Sequence, residues 1–286
     1  MGDIDSMGFK IIVDSCCDAK SVPGGTPVIN VPLRITIDGK TYIDDGSINT
    51  VWLISAMRGS KVLPVTSCPS PMEYAEAMSG DDDGFVITLS SKLSGSYQSA
   101  CAGLELKKGS GRIHVFDSQS ACAGEARIAY EIGDMISKGL SFDEIVRQGE
   151  DYIRDMKTFF VLQSLESLIK AGRVGRIAGQ FASFMQLRPV MSDDGVGNIM
   201  LLEKARGTKN AMEKLVNIVC AQEEKMRLKG REKKPLTISH CNAPELALNL
   251  KQSILERCPG ITDITVLSTG GLSTFYAFDG GIVIGY

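Results

Sequence analysis

The residues in this sequence best suited to chemistry are hydroxyls, and they gather where short apolar runs stop. Leu63-Pro64-Val65-Thr66-Ser67-Cys68-Pro69-Ser70-Pro71 is one such place, and Phe85-Val86-Ile87-Thr88-Leu89-Ser90-Ser91-Lys92-Leu93-Ser94-Gly95-Ser96 is another. Lys10-Ile11-Ile12-Val13 likewise runs into Asp14-Ser15, and Ile113-His114-Val115-Phe116 into Asp117-Ser118. Each apolar run is too short for a helix and reads as a buried parallel strand reaching its carboxyl end. Ligands of open α/β sheets bind just outside such ends. Four ends carrying Ser, Thr and Asp would form one polar rim able to hydrogen-bond a small polar head group. The same residue types also cap the helices that follow, and both roles can coexist.

Other chemistry has little to work with. There are two histidines: His114, mid-strand, reads as a core or edge residue, and His240, beside Cys241 at a strand end, is a candidate lining residue. No phosphate-loop, dinucleotide-binding or nucleophile-elbow glycine pattern occurs. A serine hydrolase needs a base beside its nucleophile, and the sequence identifies none. Eight cysteines stand at 16, 17, 68, 101, 122, 220, 241 and 258. Their spacing offers no metal site. It predicts reduced core thiols of a cytosolic protein rather than a disulfide framework, with Cys16-Cys17 a packing pair. This inventory suits binding of a ligand with a polar head and an apolar body better than catalysis. A net charge of -3 gives no reason to expect a nucleic-acid partner.

The elements that must position these residues follow from pattern. Hydrophobic content of 43% and charge of 23% over 286 residues suit a soluble globular chain of about two domains. No apolar run has the length of a membrane span. Residues 1–8 read as a flexible leader; Met1-Gly2-Asp3-Ile4-Asp5-Ser6 formally fits a myristoylation pattern, but Met7 could equally be the start. Asp38-Gly39 predicts a hairpin turn, Asn49–Arg58 a helix, and Ser70-Pro71 with Glu73 a capping box. Asp81-Asp82-Asp83-Gly84 reads as a solvated turn. With helices over 96–106, 121–137 and 142–156, the segment 9–155 reads as a doubly wound, mainly parallel α/β domain. Beyond it, strands near 158–162, 188–191, 199–202, 236–239, 261–268 and 281–285 join helices over 164–171, 177–185, 208–229 and 242–257. That mixture predicts an α+β domain over 156–286 with a more antiparallel sheet.

The chain resembles the DegV family. Lys10-Ile11-Ile12-Val13-Asp14-Ser15, Thr66-Ser67-Cys68-Pro69-Ser70-Pro71, Leu89-Ser90-Ser91-Lys92-Leu93-Ser94-Gly95-Ser96-Tyr97 and Asp117-Ser118-Gln119-Ser120-Ala121-Cys122-Ala123-Gly124 carry the likeness. It continues through Leu165-Glu166-Ser167-Leu168, Gly172-Arg173, Lys204-Ala205-Arg206-Gly207 and His240-Cys241-Asn242-Ala243-Pro244-Glu245. The resemblance implies a tunnel between two domains that holds a long-chain fatty acid, whose carboxylate is presented to the catalytic subunit of a bacterial fatty acid kinase. It implies no catalytic residue, cofactor or metal of the chain's own. The ligand-binding residues implied are Thr66, Ser67, Ser94, Gly95 and Ser96, with Arg173 and Arg206 facing the partner or the phosphate. One departure stands out: Tyr276-Ala277-Phe278-Asp279-Gly280 occupies the place of the family's His-Thr-Gly-Pro-Gly, so Tyr276 replaces a histidine. A phenol can donate a hydrogen bond but brings no positive charge. The expected partners are therefore a fatty acid and a kinase subunit, with transient contact to a membrane surface. The alternatives are a hydrolase or transferase using the same crevice, and a carrier of a different amphiphile.

Overall fold

A computed structural model describes residues 8–175, 187–230 and 235–286. Residues 1–7 of the expected leader over 1–8, and the helix expected over 177–185, lie outside the described residues. Strands β1 (Phe9–Asp14), β2 (Val28–Val31), β6 (Asp83–Thr88) and β7 (Ile113–Asp117) form a four-stranded sheet, all parallel, in the order β2-β1-β6-β7. Ile11, Val13, Phe85 and Ile87 pack on helices α4 (Ala123–Ser137) and α5 (Phe142–Asp155). Ile12, Val86 and Val115 face the opposite side, toward α2 (Pro71–Met78) and α3 (Ser96–Leu104). Alternate residues of each strand thus feed two cores, which is why these strands are apolar throughout.

The fourth expected strand end belongs elsewhere. β5 (Val65–Ser67) runs antiparallel to β3 (Arg34–Ile37), which pairs with β4 (Lys40–Ile43) across the Asp38-Gly39 turn in a separate three-stranded sheet. A strand covered on both faces needs apolar residues on both. Here Val65 and Ser67 are exposed, and Thr66 alone joins the inner row beside Ile35 and Tyr42. Helix α1 (Thr50–Gly59), capped by Asn49, covers that row with Leu53.

The second half builds a six-stranded, mostly antiparallel sheet in the order β10-β9-β8-β13-β11-β12. Its strands are β8 (Thr158–Val161), β9 (Leu187–Asp193), β10 (Ile199–Arg206), β11 (Leu236–His240), β12 (Ile264–Ser268) and β13 (Ile282–Gly285), with only β11 and β12 parallel. Phe159, Val161, Ile282 and Ile284 face α7 (Gly207–Leu228) and α8 (Pro244–Arg257); Phe160, Met191 and Val283 face the other way. Helices α6 (Glu166–Lys170) and α9 (Gly271–Ala277) flank that second face. Helix α4 lies between the two large sheets, touching β1 and β6 on one side and β11 and β13 on the other. The crossing is close at Gly124 and Gly285, where a Cβ on Gly285 would sit 2.6 Å from the Gly124 Cα.

Three expectations are corrected. Cys220 and Cys258 form a disulfide joining α7 to the end of α8, so the thiols are not all reduced; Cys16, Cys17, Cys68, Cys101, Cys122 and Cys241 are free. The two half-cystines are 38 residues apart, and no local spacing announces the pair. Asp83 is buried, not solvated, because it opens β6 and accepts from the Arg112 guanidinium at 2.7 Å. Helix α9, absent from the pattern, forms because its first N–H groups find distant acceptors. Asp44 takes those of Gly271 (3.0 Å) and Leu272 (2.7 Å), and Asp18 that of Gly270 (2.9 Å).

Candidate ligand cavity

A cavity of about 290 Å³ opens where the carboxyl ends of the parallel strands meet the second face of the six-stranded sheet. Its middle is apolar: Leu33, Leu89, Phe160, Leu162, Leu168, Leu272 and Val283 line it. One end is open and carries Thr66, Ser67, Ser94, Gly95, Arg173 and Tyr276. Of the residues singled out from sequence, Ser96 and Arg206 do not line it. Ser96 is wholly buried behind Ser94, and Arg206 is exposed at the junction of β10 and α7.

The central contact at the open end joins Thr66 Oγ1 and Tyr276 Oη at 2.8 Å, with either oxygen able to donate. Thr66 reaches it from the inner row of the small sheet. Tyr276 reaches it from α9, its ring edge-to-face on Phe275 at 4.8 Å. Ser94 Oγ meets Ser96 Oγ at 3.0 Å and accepts the Ser96 N–H at 3.2 Å, so it also fastens the start of α3. A Cβ on Gly95 would stand 3.1 Å from the Cys68 sulfur, so the glycine lets the β5 and β6 loops approach. Arg173 Nε donates to the Leu93 carbonyl at 3.0 Å and Nη1 to that of Ala171, which holds this cation at the rim.

Many strand-end polar residues hold backbone instead of facing the cavity. Asp14 accepts the N–H groups of Cys16 (3.0 Å) and Leu89 (2.9 Å), and Ser15 Oγ that of Leu33 (3.0 Å). Asp117 accepts those of Ser91 (3.0 Å) and Gln119 (3.2 Å). These bonds shape the loops that carry Leu89, Ser94 and Gln119. Burial pushes the carboxyls of Asp14 and Asp18 up to about 6. Glu125, buried on α4, is pushed up further by burial and then by the charge of Asp14.

The histidines are elsewhere. His240 is buried and held neutral by burial, and its Nδ1 accepts the Ala243 N–H at 3.3 Å; it does not line the cavity. His114 sits on edge strand β7, 3.0 Å from Glu150. No histidine or lysine is among the described residues of the lining. Among the described residues no cluster of three or more His, Cys, Asp or Glu could hold a metal, and no helix is long and apolar enough to cross a membrane. Sequence reasoning missed the polar wall of the lining, made of Gln119, Ser120, Thr158, Ser192 and Asn198. Gln119 follows a parallel strand end and was open to the same rule that singled out Ser94.

The architecture defines an α/β protein with an apolar cavity between its two large sheets. The chain belongs to the DegV family: the family model described as "Uncharacterised protein, DegV family" matches residues 8–286. A DegV domain-containing protein of Streptococcus pneumoniae is 33% identical, covering 98% of this chain and 99% of that protein. Among solved structures, a DegV family protein from Ruminococcus gnavus, refined with vaccenic acid, superposes with a TM-score of 0.88 at 36% identity, over 98% of this chain and 100% of its own. The Streptococcus pneumoniae Fatty Acid Kinase (Fak) B3 protein, loaded with linoleic acid, superposes with a TM-score of 0.86 at 30% identity, over 98% and 99%.

Proposed function

We propose that this chain binds a long-chain fatty acid in the cavity between segments 9–155 and 156–286 and presents its carboxylate to a separate kinase subunit. The observation that carries the reading is the Thr66–Tyr276 pair at the open end of an otherwise apolar cavity. The fatty acids named with the two solved relatives support it. Burial contributes ~0.8 kcal/mol per methylene, so about fourteen methylenes give ~11 kcal/mol. Association and ordering cost ~4 kcal/mol or more, which leaves submicromolar affinity within reach. A hydrolase or transferase would need a base beside a hydroxyl. Thr66 has a phenol as its neighbour, and Ser94 another serine. The chain's own role is then carriage. Denaturing extraction of the purified protein followed by mass spectrometry tests this. Near one equivalent of a fatty acid is expected; extracts without lipid, together with no uptake of added fatty acid, would remove the reading.

Thr66→Val and Tyr276→Phe are each expected to weaken fatty-acid binding roughly ten- to a hundredfold, since a hydrogen bond to a charged group contributes ~1.5–3 kcal/mol. Because the two hydroxyls bond each other, the double variant should lose less than the two single losses combined. Additive losses in a titration would show that they contact the ligand independently. Ser94→Ala should weaken binding and also lower stability, since it removes the acceptor of the Ser96 N–H.

The arginines are assigned to transfer of the phosphoryl group. With a fatty acid kinase catalytic subunit, Arg173→Ala and Arg206→Ala should each lower acyl-phosphate formation more than tenfold. Fatty-acid affinity should change less than threefold, because neither side chain solvates an apolar tail. Parallel loss of binding and transfer would instead make them structural.

A further inference from the structure

A line of polar groups runs from Ser94, in the cavity lining, into the protein. Ser94 Oγ stands 3.0 Å from Ser96 Oγ and accepts the Ser96 N–H at 3.2 Å. Ser96 is wholly buried, and its hydroxyl hydrogen-bonds the carboxyl of Asp14 behind it. Asp14 lies within hydrogen-bonding reach of Glu125 on α4. Both carboxyls are fully buried, and no N–H or O–H of the described residues donates to either Glu125 oxygen. Two adjacent buried carboxyls cannot both ionise, so the pair keeps at least one proton. Asp14 near 6 and Glu125 higher agree with one proton on the pair at neutral pH.

Counting protons fixes what Ser94 can offer. A hydroxyl has one proton to donate and two lone pairs. While Asp14 is ionised it takes the Ser96 proton, so the Ser94–Ser96 contact must use the proton of Ser94. Ser94 then turns only a lone pair to the ligand, which suits the hydroxyl of an alcohol and repels a carboxylate. A second proton on the carboxyl pair reverses the order. Asp14 then donates to Ser96, Ser96 to Ser94, and Ser94 is free to donate to an anion.

Resting on the fatty-acid reading above, we infer that the chain binds a fatty-acid anion together with one proton, which enters the Asp14–Glu125 pair and turns Ser94 into a donor through Ser96. Other titratable groups surround the pair. Tyr74 of α2 and Cys17 are pushed up by burial, and Cys16 by its bond to the Cys122 thiol and by burial, so all three stay protonated. Asp18, raised like Asp14, accepts the Gly270 N–H and reaches Ser239 and Ser273 rather than Ser96. On the cavity side Arg173 is fastened to the carbonyl of Leu93, beside Ser94.

The test is calorimetric titration of the delipidated full chain at pH 7 with palmitic acid and with hexadecanol, each delivered from a cyclodextrin carrier. Buffers of low and high ionisation enthalpy convert proton uptake into a difference in heat. The free acid is already ionised at this pH, since an aliphatic carboxyl titrates near the ~4.3 of a glutamate side chain. Palmitic acid should bind with uptake of roughly half a proton or more, and its affinity should fall by up to about tenfold per unit between pH 6.5 and 8. Hexadecanol should bind with no uptake. Ser96→Ala breaks the line but keeps the backbone bond to Ser94, and Asp14→Asn removes the titrating group. Each should abolish the uptake, and Ser96→Ala carries the test alone if Asp14→Asn does not fold. Palmitic acid binding without uptake in the parent overturns the inference and leaves the fatty-acid reading intact. Uptake that persists in Ser96→Ala also overturns it, because the proton then rides on the ligand or on another group. Binding of neither compound overturns both.

Discussion

Two buried carboxyls are expected to make unfolding of the ligand-free protein cost about 3 kcal/mol more at pH 5 than at pH 7, an increment that the buried His240 partly offsets. The source is the pair of buried aspartates, Asp14 and Asp18, whose carboxyls stand near 6 in the folded chain against ~3.9 in an unfolded one. Between those values the folded form holds protons that the unfolded form has released. Stability therefore falls as pH rises through the window from about 4 to 6 and levels off above it. Asp44 is raised in the same sense by burial, and Glu125 is raised by burial and by Asp14, so both act in the same direction. Two groups oppose them: His240, kept neutral by burial, loses stability as pH falls below ~6.5, and Glu73, bonded to Arg34 and held at about 2, loses its contribution only in stronger acid. Urea unfolding at the two pH values measures the balance. Asp14→Asn or Asp18→Asn should each remove part of the stability gained at pH 5, and a pH dependence unchanged from the parent's in both variants would sink the assignment.

The second large effect is expected from Val283→Phe, which should lower the affinity for a long-chain acid a hundredfold or more. Val283 sits on the central strand β13 and lines the cavity, while its neighbours Ile282 and Ile284 face the opposite core. A phenyl group there would displace roughly three or four methylenes of an acyl tail, at ~0.8 kcal/mol each. The cavity gives the ring room, so the empty variant should unfold at or above the parent's temperature. Calorimetric titration beside thermal unfolding separates the two effects. Unchanged affinity would show that the tail does not pass Val283.

What the sequence disclosed and what it hid divide along the reach of the interactions. Ser70 with Glu73, the cap at Asn49 and the Asp38-Gly39 turn are local, and each formed as expected. The parallel sheet was legible because strands buried on both faces are apolar throughout. β5 was misplaced because its sheet partner, β3, lies some thirty residues earlier and nothing in Val-Thr-Ser names it. Helix α9 was invisible because its N–H acceptors, Asp18 and Asp44, are more than two hundred residues away. In the site, the hydroxyls of Thr66 and Ser94 could be read from their positions after apolar runs. Gln119 also follows a strand end, but its left-handed backbone is set by contacts with Asp117 and Gly197 that no local pattern announces.

The clasp that starts α9 bears on how the molecule comes apart. Asp18 and Asp44 lie in the first half of the chain and hold the N-terminus of a helix in the last twenty residues, and Ser273 Oγ adds a bond to the Cys16 carbonyl at 3.1 Å. Helix α4 meanwhile serves both large sheets. A cut near residue 156 would strip acceptors from one fragment and a covering helix from the other. The halves should therefore melt together in a single cooperative transition, and neither should fold when expressed alone. Tyr276, carried on that clasped helix, reaches Thr66 only when both halves are in place. During synthesis the Thr66–Tyr276 pair would thus assemble only after residues 271–277 have left the ribosome, some two hundred residues after Thr66 itself.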